Sequence, residues 1–255
     1  MRSVSRQKIM VANWKMYKTA SETAAFFDRF LALDPAAGGN CFVVVAPPFS
    51  SIPLAVEAVR GRDIAIAGQN LHWADEGAYT GEVSGAMLKA AGCSYVIVGH
   101  SERRQYFQET DEIVHRKVRA ALRAGLTPIV CVGETEAQRN DHEMELVLRH
   151  QFESAFWGMD VEDLRRCVLA YEPIWAVGTG NIASPEIAQG AHRFLRHRVM
   201  EIFGAEAAAG FSILYGGSIK PGNERELMQQ PDVDGGLVGG ASLDADTFAA
   251  LVRAA

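Results

Sequence analysis

Ala170-Tyr171-Glu172-Pro173-Ile174-Trp175-Ala176-Val177-Gly178-Thr179-Gly180 carries the reading of this chain. The run Val168 to Tyr171 is short, apolar and suited to a buried strand. It ends on a carboxylate, followed at once by a proline and by a loop that begins with large apolar residues and finishes on two glycines. Glu172 therefore stands at the mouth of a strand, under a loop able to fold over it. Apolar cover removes water from a carboxylate, and desolvation makes it a stronger base. Glycines let backbone N–H groups approach an anion closely. A base beside an anion cradle points to proton transfer on a small phosphorylated molecule. An isolated Glu-Pro pair would read as an ordinary solvated turn; the apolar loop and the remainder of the chain decide against that here.

Working outward, the same strand-then-polar pattern recurs. Apolar runs occupy Ile9–Ala12, Phe42–Ala46, Ile64–Ala67, Tyr95–Val98, Pro128–Val132, Val168–Tyr171, Ser212–Tyr215 and Gly236–Val238. Each is followed by helical signals. Phe26, Phe27 and Phe30 repeat at helical spacing in Thr23–Leu33, as do Ile113, Val114, Val118 and Leu122 in Ile113–Leu122. Ser184 before Pro185 is an N-cap with proline at the first helical position, and Asp244 precedes a last helix over Ala245–Arg253. Eight strand–helix units in 255 residues, with no linker or low-complexity seam, predict one domain over residues 1–255 and an α/β fold, the closed (β/α)8 barrel. An open doubly wound sheet shares the same periodicity. The polar residues that follow the strands are Asn13 and Lys15, Gln69 and Asn70, His100, Glu134, Glu172, Ser218, and Gly239 with Gly240. They suit a ring converging on one mouth, because barrel function sits at the C-terminal strand ends.

Composition narrows the chemistry. The net charge is −6 and no Lys/Arg cluster occurs, so nucleic acid is not the expected partner, and a phosphate would be held by a few local donors. Cys41, Cys93, Cys131 and Cys167 are widely spaced, form no C-x-x-C pair and have no histidine cluster at zinc-ligand spacing, so no metal is expected. Met1 to Lys8 is polar and basic, Met10-Val11-Ala12 is cut off by Asn13, and no apolar run is long enough to span a bilayer. The expectation is a cytoplasmic protein with reduced thiols and no membrane partner. Among these thiols Cys131, at a strand end near the site, is the candidate for redox sensitivity.

His100 follows Tyr95-Val96-Ile97-Val98-Gly99 and opens Ser101-Glu102-Arg103-Arg104. At a helix N-terminus the positive end of the dipole disfavours imidazolium, so His100 suits a neutral donor to a carbonyl oxygen; alone, it reads more readily as a turn cap. Lys15 suits a phosphate or a developing oxyanion, although a single lysine is most often just solvated. Tyr215-Gly216-Gly217-Ser218 and Gly235-Gly236-Leu237-Val238-Gly239-Gly240 follow the last two strand regions, where barrels frequently bind phosphate. Gly178-x-Gly180-x-x-Ala183 fits a dinucleotide pattern formally. It does not come straight after a strand, however, and its helix starts only at Ser184-Pro185, so it carries no weight. There is no Walker-type G-x-x-x-x-G-K-[ST] and no G-x-S-x-G elbow.

Five segments in order resemble those of the triosephosphate isomerase family: Ala12-Asn13-Trp14-Lys15-Met16, Val98 through Arg104, Ala170 through Gly180, Tyr215-Gly216-Gly217-Ser218, and Gly239-Gly240-Ala241-Ser242-Leu243. The resemblance runs from about Ile9 to Leu251. That family is itself the standard illustration of glutamate–histidine pairing and of lid closure over a substrate. The resemblance implies interconversion of dihydroxyacetone phosphate and D-glyceraldehyde 3-phosphate, in glycolysis and gluconeogenesis, with no cofactor. It assigns Glu172 as base and His100 as neutral electrophile. Lys15 and Asn13 fall on the oxyanion side, and Gly178, Ser218, Gly239 and Gly240 at the phosphate. Pro173 to Gly180 would close over the site. It further implies a homodimer in which Gln69 through Glu82, with Thr80 at its tip, packs beside the partner's site. Three positions depart from the family: Tyr17 stands where Asn is frequent, Gln108 where Gly is common, and Asn181 where Lys is frequent. A longer-sugar isomerase, a non-catalytic sugar-phosphate barrel and a nicotinamide oxidoreductase are the competing readings.

Overall fold

A computed structural model describes residues 6–35, 41–176 and 183–255. Its eight strands are β1 (Lys8–Asn13), β2 (Cys41–Ala46), β3 (Ile64–Gly68), β4 (Tyr95–Val98), β5 (Thr127–Val132), β6 (Val168–Tyr171), β7 (Ile213–Tyr215) and β8 (Gly235–Val238). Each agrees with its apolar run to within one residue at either end. All neighbours are parallel, and β8 returns to β1, with Ile9 opposite Gly235 and Ala12 opposite Val238. That closure separates the barrel from the open sheet, which periodicity alone left open.

The strands read as continuous apolar runs because both faces are buried, the usual state of a parallel sheet covered by helices. Successive side chains still alternate between two compartments. Ile9, Val11, Val44, Ala46, Ile97, Ile129, Cys131, Ala170, Leu214 and Leu237 fill the barrel interior. Met10, Ala12, Val43, Val45, Val130, Leu169, Tyr171, Ile213 and Tyr215 face the helix layer. The same parity, carried two residues beyond an interior position, aims Asn13, Gly133, Glu172, Gly216 and Gly239 into the mouth. A one-residue slip in any strand would turn its functional residue into the helix layer.

Helix signals hold for physical reasons that can be named. Ala20–Ala32 starts three residues before its hydrophobic repeat because Thr19 and Glu22 form a reciprocal capping box. Ser184 caps Pro185–Phe203, its hydroxyl accepting from the Ile187 N–H at 3.4 Å, and Asp244 accepts from the Thr247 N–H at 2.8 Å. Phe30 stacks on Phe26 at 5.3 Å and on Phe248 at 5.4 Å, joining the first helix to Ala245–Ala254 and closing the outer layer. No helix among the described residues is long and apolar enough to cross a membrane.

Gly235 sits where the barrel closes. Its φ of 137° is a backbone conformation that side-chain-bearing residues rarely adopt, and a Cβ there would lie 1.9 Å from the Ile9 carbonyl oxygen. Gly235→Ala is expected to cost more than about 3 kcal/mol in urea unfolding, through backbone strain and a broken β1–β8 seam. Gly190→Ala, inside a helix with open space around it, should instead be neutral or stabilise by about 0.5–1 kcal/mol. Equal effects from the two substitutions would contradict this account of the closure.

Candidate active site

Glu172 leaves the end of β6 and is 2 % exposed. Its carboxylate is held by three donors. Oε2 accepts from the Ser101 N–H at 2.9 Å, and Oε1 accepts from the Ser101 hydroxyl at 3.1 Å and lies 3.0 Å from His100 Nε2. Two glycines clear the space it needs. A Cβ at Gly133 would lie 1.8 Å from the Glu172 carbonyl oxygen, and one at Gly216 would lie 2.8 Å from its Cγ.

His100 precedes the helix Ser101–Phe107 as its cap. Its Nδ1 accepts from the Glu102 N–H at 3.3 Å, so that nitrogen carries the lone pair and the ring proton is on Nε2, facing Glu172. Burial is the largest influence on both groups and disfavours charge on either. Glu172 nevertheless draws the imidazole up from its usual value, while His100 and Ser101 together bring Glu172 below its own. A second ring proton would have to sit on Nδ1, against the Glu102 N–H and the positive helix end. The positive helix end opposes the pull that Glu172, and the Glu102 carboxylate 3.6 Å from Nδ1, exert on that second proton. The sequence reading expected burial to strengthen Glu172 as a base. In this arrangement the three donors outweigh burial, and the carboxylate is held ionised and weakly basic.

Lys15 follows β1 with a left-handed φ of 52°. Two amides hold that conformation. Asn13 Oδ1 accepts the Lys15 N–H at 3.0 Å, and Gln69 Nε2 donates to the Lys15 carbonyl at 2.8 Å and to the Ala46 carbonyl at 2.9 Å. The Lys15 ammonium reaches Glu102 Oε1 at 2.7 Å. Its side chain crosses Gly239, where a Cβ would sit 3.2 Å from Lys15 Cε.

Asn13, Lys15, His100, Ser218, Gly239 and Gly240 line one cavity of about 250 Å³ together with Gly217, Lys220 and Leu237. A volume below the roughly 300 Å³ at which drug-sized sites begin suits a small ligand. Glu172 stands behind this cavity, turned toward Ser101, and no acidic residue is among the described lining groups. Gly178, assigned by sequence to the phosphate, lies outside the described residues, as do Gly180 and Asn181. Gly216 proves to be a ladder and clearance position, because its N–H is spent on the Tyr171 carbonyl at 2.6 Å.

Sequence reasoning missed Ser101 and Glu102 as partners of the reactive groups, although both lie inside the segment quoted for His100; being in the first helical turn was the available signal. It also left Glu134 without a role. That buried carboxylate accepts from Tyr171 Oη at 3.0 Å, Trp175 Nε1 at 2.8 Å and Arg139 Nη1 at 3.1 Å. It thereby ties β5, β6 and the turn Ile174–Ala176 together. Gln108 occupies the left-handed region at φ 54°, which costs a non-glycine residue roughly 1–2 kcal/mol. The Cys131 thiol is fully buried, and burial first, then Glu172, pushes its pKa well up, so it is a poor nucleophile in this state. No group of three or more metal-ligating side chains occurs among the described residues.

The family model for triosephosphate isomerase matches residues 8–255. A protein of Solibacter usitatus named triosephosphate isomerase is 54 % identical over 248 residues, covering 97 % of this chain and 99 % of that protein. Its namesake from Moorella thermoacetica is 51 % identical over 250 residues, covering 97 % and 98 %. The crystal structure of triosephosphate isomerase from Bartonella henselae superimposes with a TM-score of 0.87 at 37 % identity, covering 97 % of this chain and 98 % of that one.

Proposed function

The chain belongs to the triosephosphate isomerase family, and we propose that Glu172 is the base with which it moves a proton between the two reacting carbons. The reaction, interconversion of dihydroxyacetone phosphate and D-glyceraldehyde 3-phosphate, follows from the family. The observation that carries the residue assignment is the 3.0 Å contact between Glu172 Oε1 and His100 Nε2 behind a cavity lined by Lys15 and free of acids.

In this reading the substrate phosphate lies against Ser218, Gly239 and Gly240, with Gly178 assigned to the same group from its sequence. The carbonyl oxygen lies near His100 Nε2–H, Asn13 and Lys15. Glu172 must leave Ser101 and His100 to reach the substrate carbon. That movement strips three donors from the carboxylate while leaving it buried, so its basicity rises where it is needed. The same movement frees His100 Nε2–H to donate to the substrate. Glu172 then takes the proton from one carbon, the C–H electrons form the carbon–carbon double bond, and the carbonyl oxygen becomes an oxyanion. Nε2–H and the Lys15 ammonium stabilise that charge. His100 Nε2–H gives its proton to that oxyanion and the ring takes one from the hydroxyl on the deprotonated carbon; Glu172 returns its proton to the neighbouring carbon as that hydroxyl oxygen becomes the new carbonyl. Neutral His100 suits this task, since both substrate oxygens need a donor that can also take a proton back. No step requires a cofactor.

The chain works as one domain in this account, in the cytoplasm, on the triose phosphates of glycolysis and gluconeogenesis. It also works as a homodimer. Met16 and Tyr17, 93 % and 58 % exposed, and Tyr79 on the Gln69–Glu82 loop, 46 % exposed, are large apolar groups at the same end of the barrel as the site. The loop is preformed, with the His72 ring between Trp73 at 4.1 Å and Tyr79 at 4.0 Å.

Glu172→Asp withdraws the carboxylate by one methylene and Glu172→Gln removes the base. Both should lower turnover by roughly two to four orders of magnitude while leaving inorganic phosphate affinity near wild type. Undiminished turnover of either variant would remove Glu172 from the role. Sedimentation at assay concentration should give a dimer; a fully active monomer would overturn the proposed assembly.

A further inference from the structure

The cavity contains a second lysine that neither the motif pattern nor the family reading uses. Lys220 lines it beside Ser218, Gly239 and Gly240. Its backbone is fixed from two sides. On one side, Ile219 is buried against β8, close enough that a Cβ on Gly236 would meet its Cδ1 at 2.4 Å. On the other, Asn223 clasps the turn. Its Nδ2 donates to the Ser218 carbonyl at 2.9 Å, its Oδ1 accepts the Lys220 N–H at 3.0 Å, and its own N–H reaches the Lys220 carbonyl at 3.2 Å. The nearest carboxylate along the chain, Glu224, is engaged by the Gly222 N–H at 2.6 Å.

The two cavity lysines differ in what neutralises them. Lys15 is paired with Glu102 at 2.7 Å. Lys220 is exposed, and its ammonium bonds to no described residue. The whole chain carries −6, so its average field repels a phosphate dianion. A local uncompensated cation at the rim reverses that field where the ligand enters.

We propose that Lys220 is a substrate-binding residue, a second cation for the phosphate dianion that captures it at the rim beside Ser218 and draws it toward Gly239 and Gly240. This rests on the cavity being the triose phosphate site. Its chemistry is that of a mobile point charge on a rigid turn: long-range attraction with little geometric demand. It acts on binding and encounter. Proton transfer, which occurs at the opposite end of the substrate, is left to Glu172, His100, Asn13 and Lys15.

The test measures the dissociation constant of inorganic phosphate by calorimetry, and kcat and KM over a range of ionic strength, for wild type, Lys220→Gln, Lys220→Glu and Lys220→Arg. Lys220→Gln should weaken phosphate binding and raise KM by roughly three- to tenfold at low salt, the scale of one screened unit charge acting on a dianion a few ångströms away. It should leave kcat unchanged and flatten the salt dependence of kcat/KM. Lys220→Glu should weaken binding further, and Lys220→Arg should restore both affinity and salt dependence. A Gln variant with wild-type phosphate affinity and wild-type salt dependence overturns the proposal, as does one that loses kcat at constant KM. The phosphate titration needs no turnover. An inactive wild type that still loses phosphate affinity on Lys220→Gln would therefore count against the isomerase site assignment and for the anion site.

Discussion

An ionised carboxylate held out of water is the constraint on which the rest of this site depends. Glu172 is buried, yet three donors from Ser101 and His100 keep it charged. Burying a charge without such partners costs several kcal/mol or forces protonation. The donors that stabilise the resting carboxylate also restrain its basicity. In the proposed mechanism they must be given up, and the side chain needs room in which to do so. Gly216 supplies it, because a methyl group there would lie 2.8 Å from the Glu172 Cγ, while Gly133 clears the Glu172 backbone carbonyl.

The barrel makes this arrangement reproducible. Strand alternation, continued past the last ladder position, sends Asn13 and Glu172 inward from opposite parts of the ring, and the β1–β8 seam fixes their relative height. Local braces then set each group's orientation. Asn13 and Gln69 hold the left-handed turn that projects Lys15. The Glu102 N–H sets the tautomer of His100, and the Glu102 carboxylate positions the Lys15 ammonium. One residue thus couples the imidazole to the ammonium. The proposed anion site is a separate part of the mouth, the loops after β7 and β8, where the backbone, the Ser218 hydroxyl and Lys220 line one cavity.

Much of this was legible in the sequence. The eight strands appear as apolar runs because a buried parallel sheet excludes polar residues over three to six positions, and Glu172 stands out because it breaks such a run. His100 was legible as a helix-start residue, and that position determines its tautomer. Closure of the sheet was not legible, since β8 pairs with β1 across more than two hundred residues and periodicity contains no information about that partner. The donors on Glu172 were not legible for the same reason: Ser101 is 71 positions away in sequence. Gly216 looked like an anion donor because a glycine pair after a strand has the same appearance whether its N–H faces a ligand or a neighbouring carbonyl. Lys220 escaped notice because a lone lysine is usually a solvated one.

The measurement that bears most directly on this account is the titration of the Glu172 carboxyl group by carbon NMR, with glutamate labelled at the carboxyl carbon and the resonance assigned by its loss in Glu172→Gln. It would be made on the free protein and with a phosphorylated enediolate mimic bound. The account requires the free carboxylate to titrate below its ordinary value of 4.5, because His100 and Ser101 hold the charged form against burial. It also requires the bound form to titrate higher than the free form, because those donors have been surrendered while the burial remains. A carboxyl group that titrates at the same pH in both states, or above the ordinary value in the free protein, would contradict the claim that release from Ser101 and His100 is what turns Glu172 into a base.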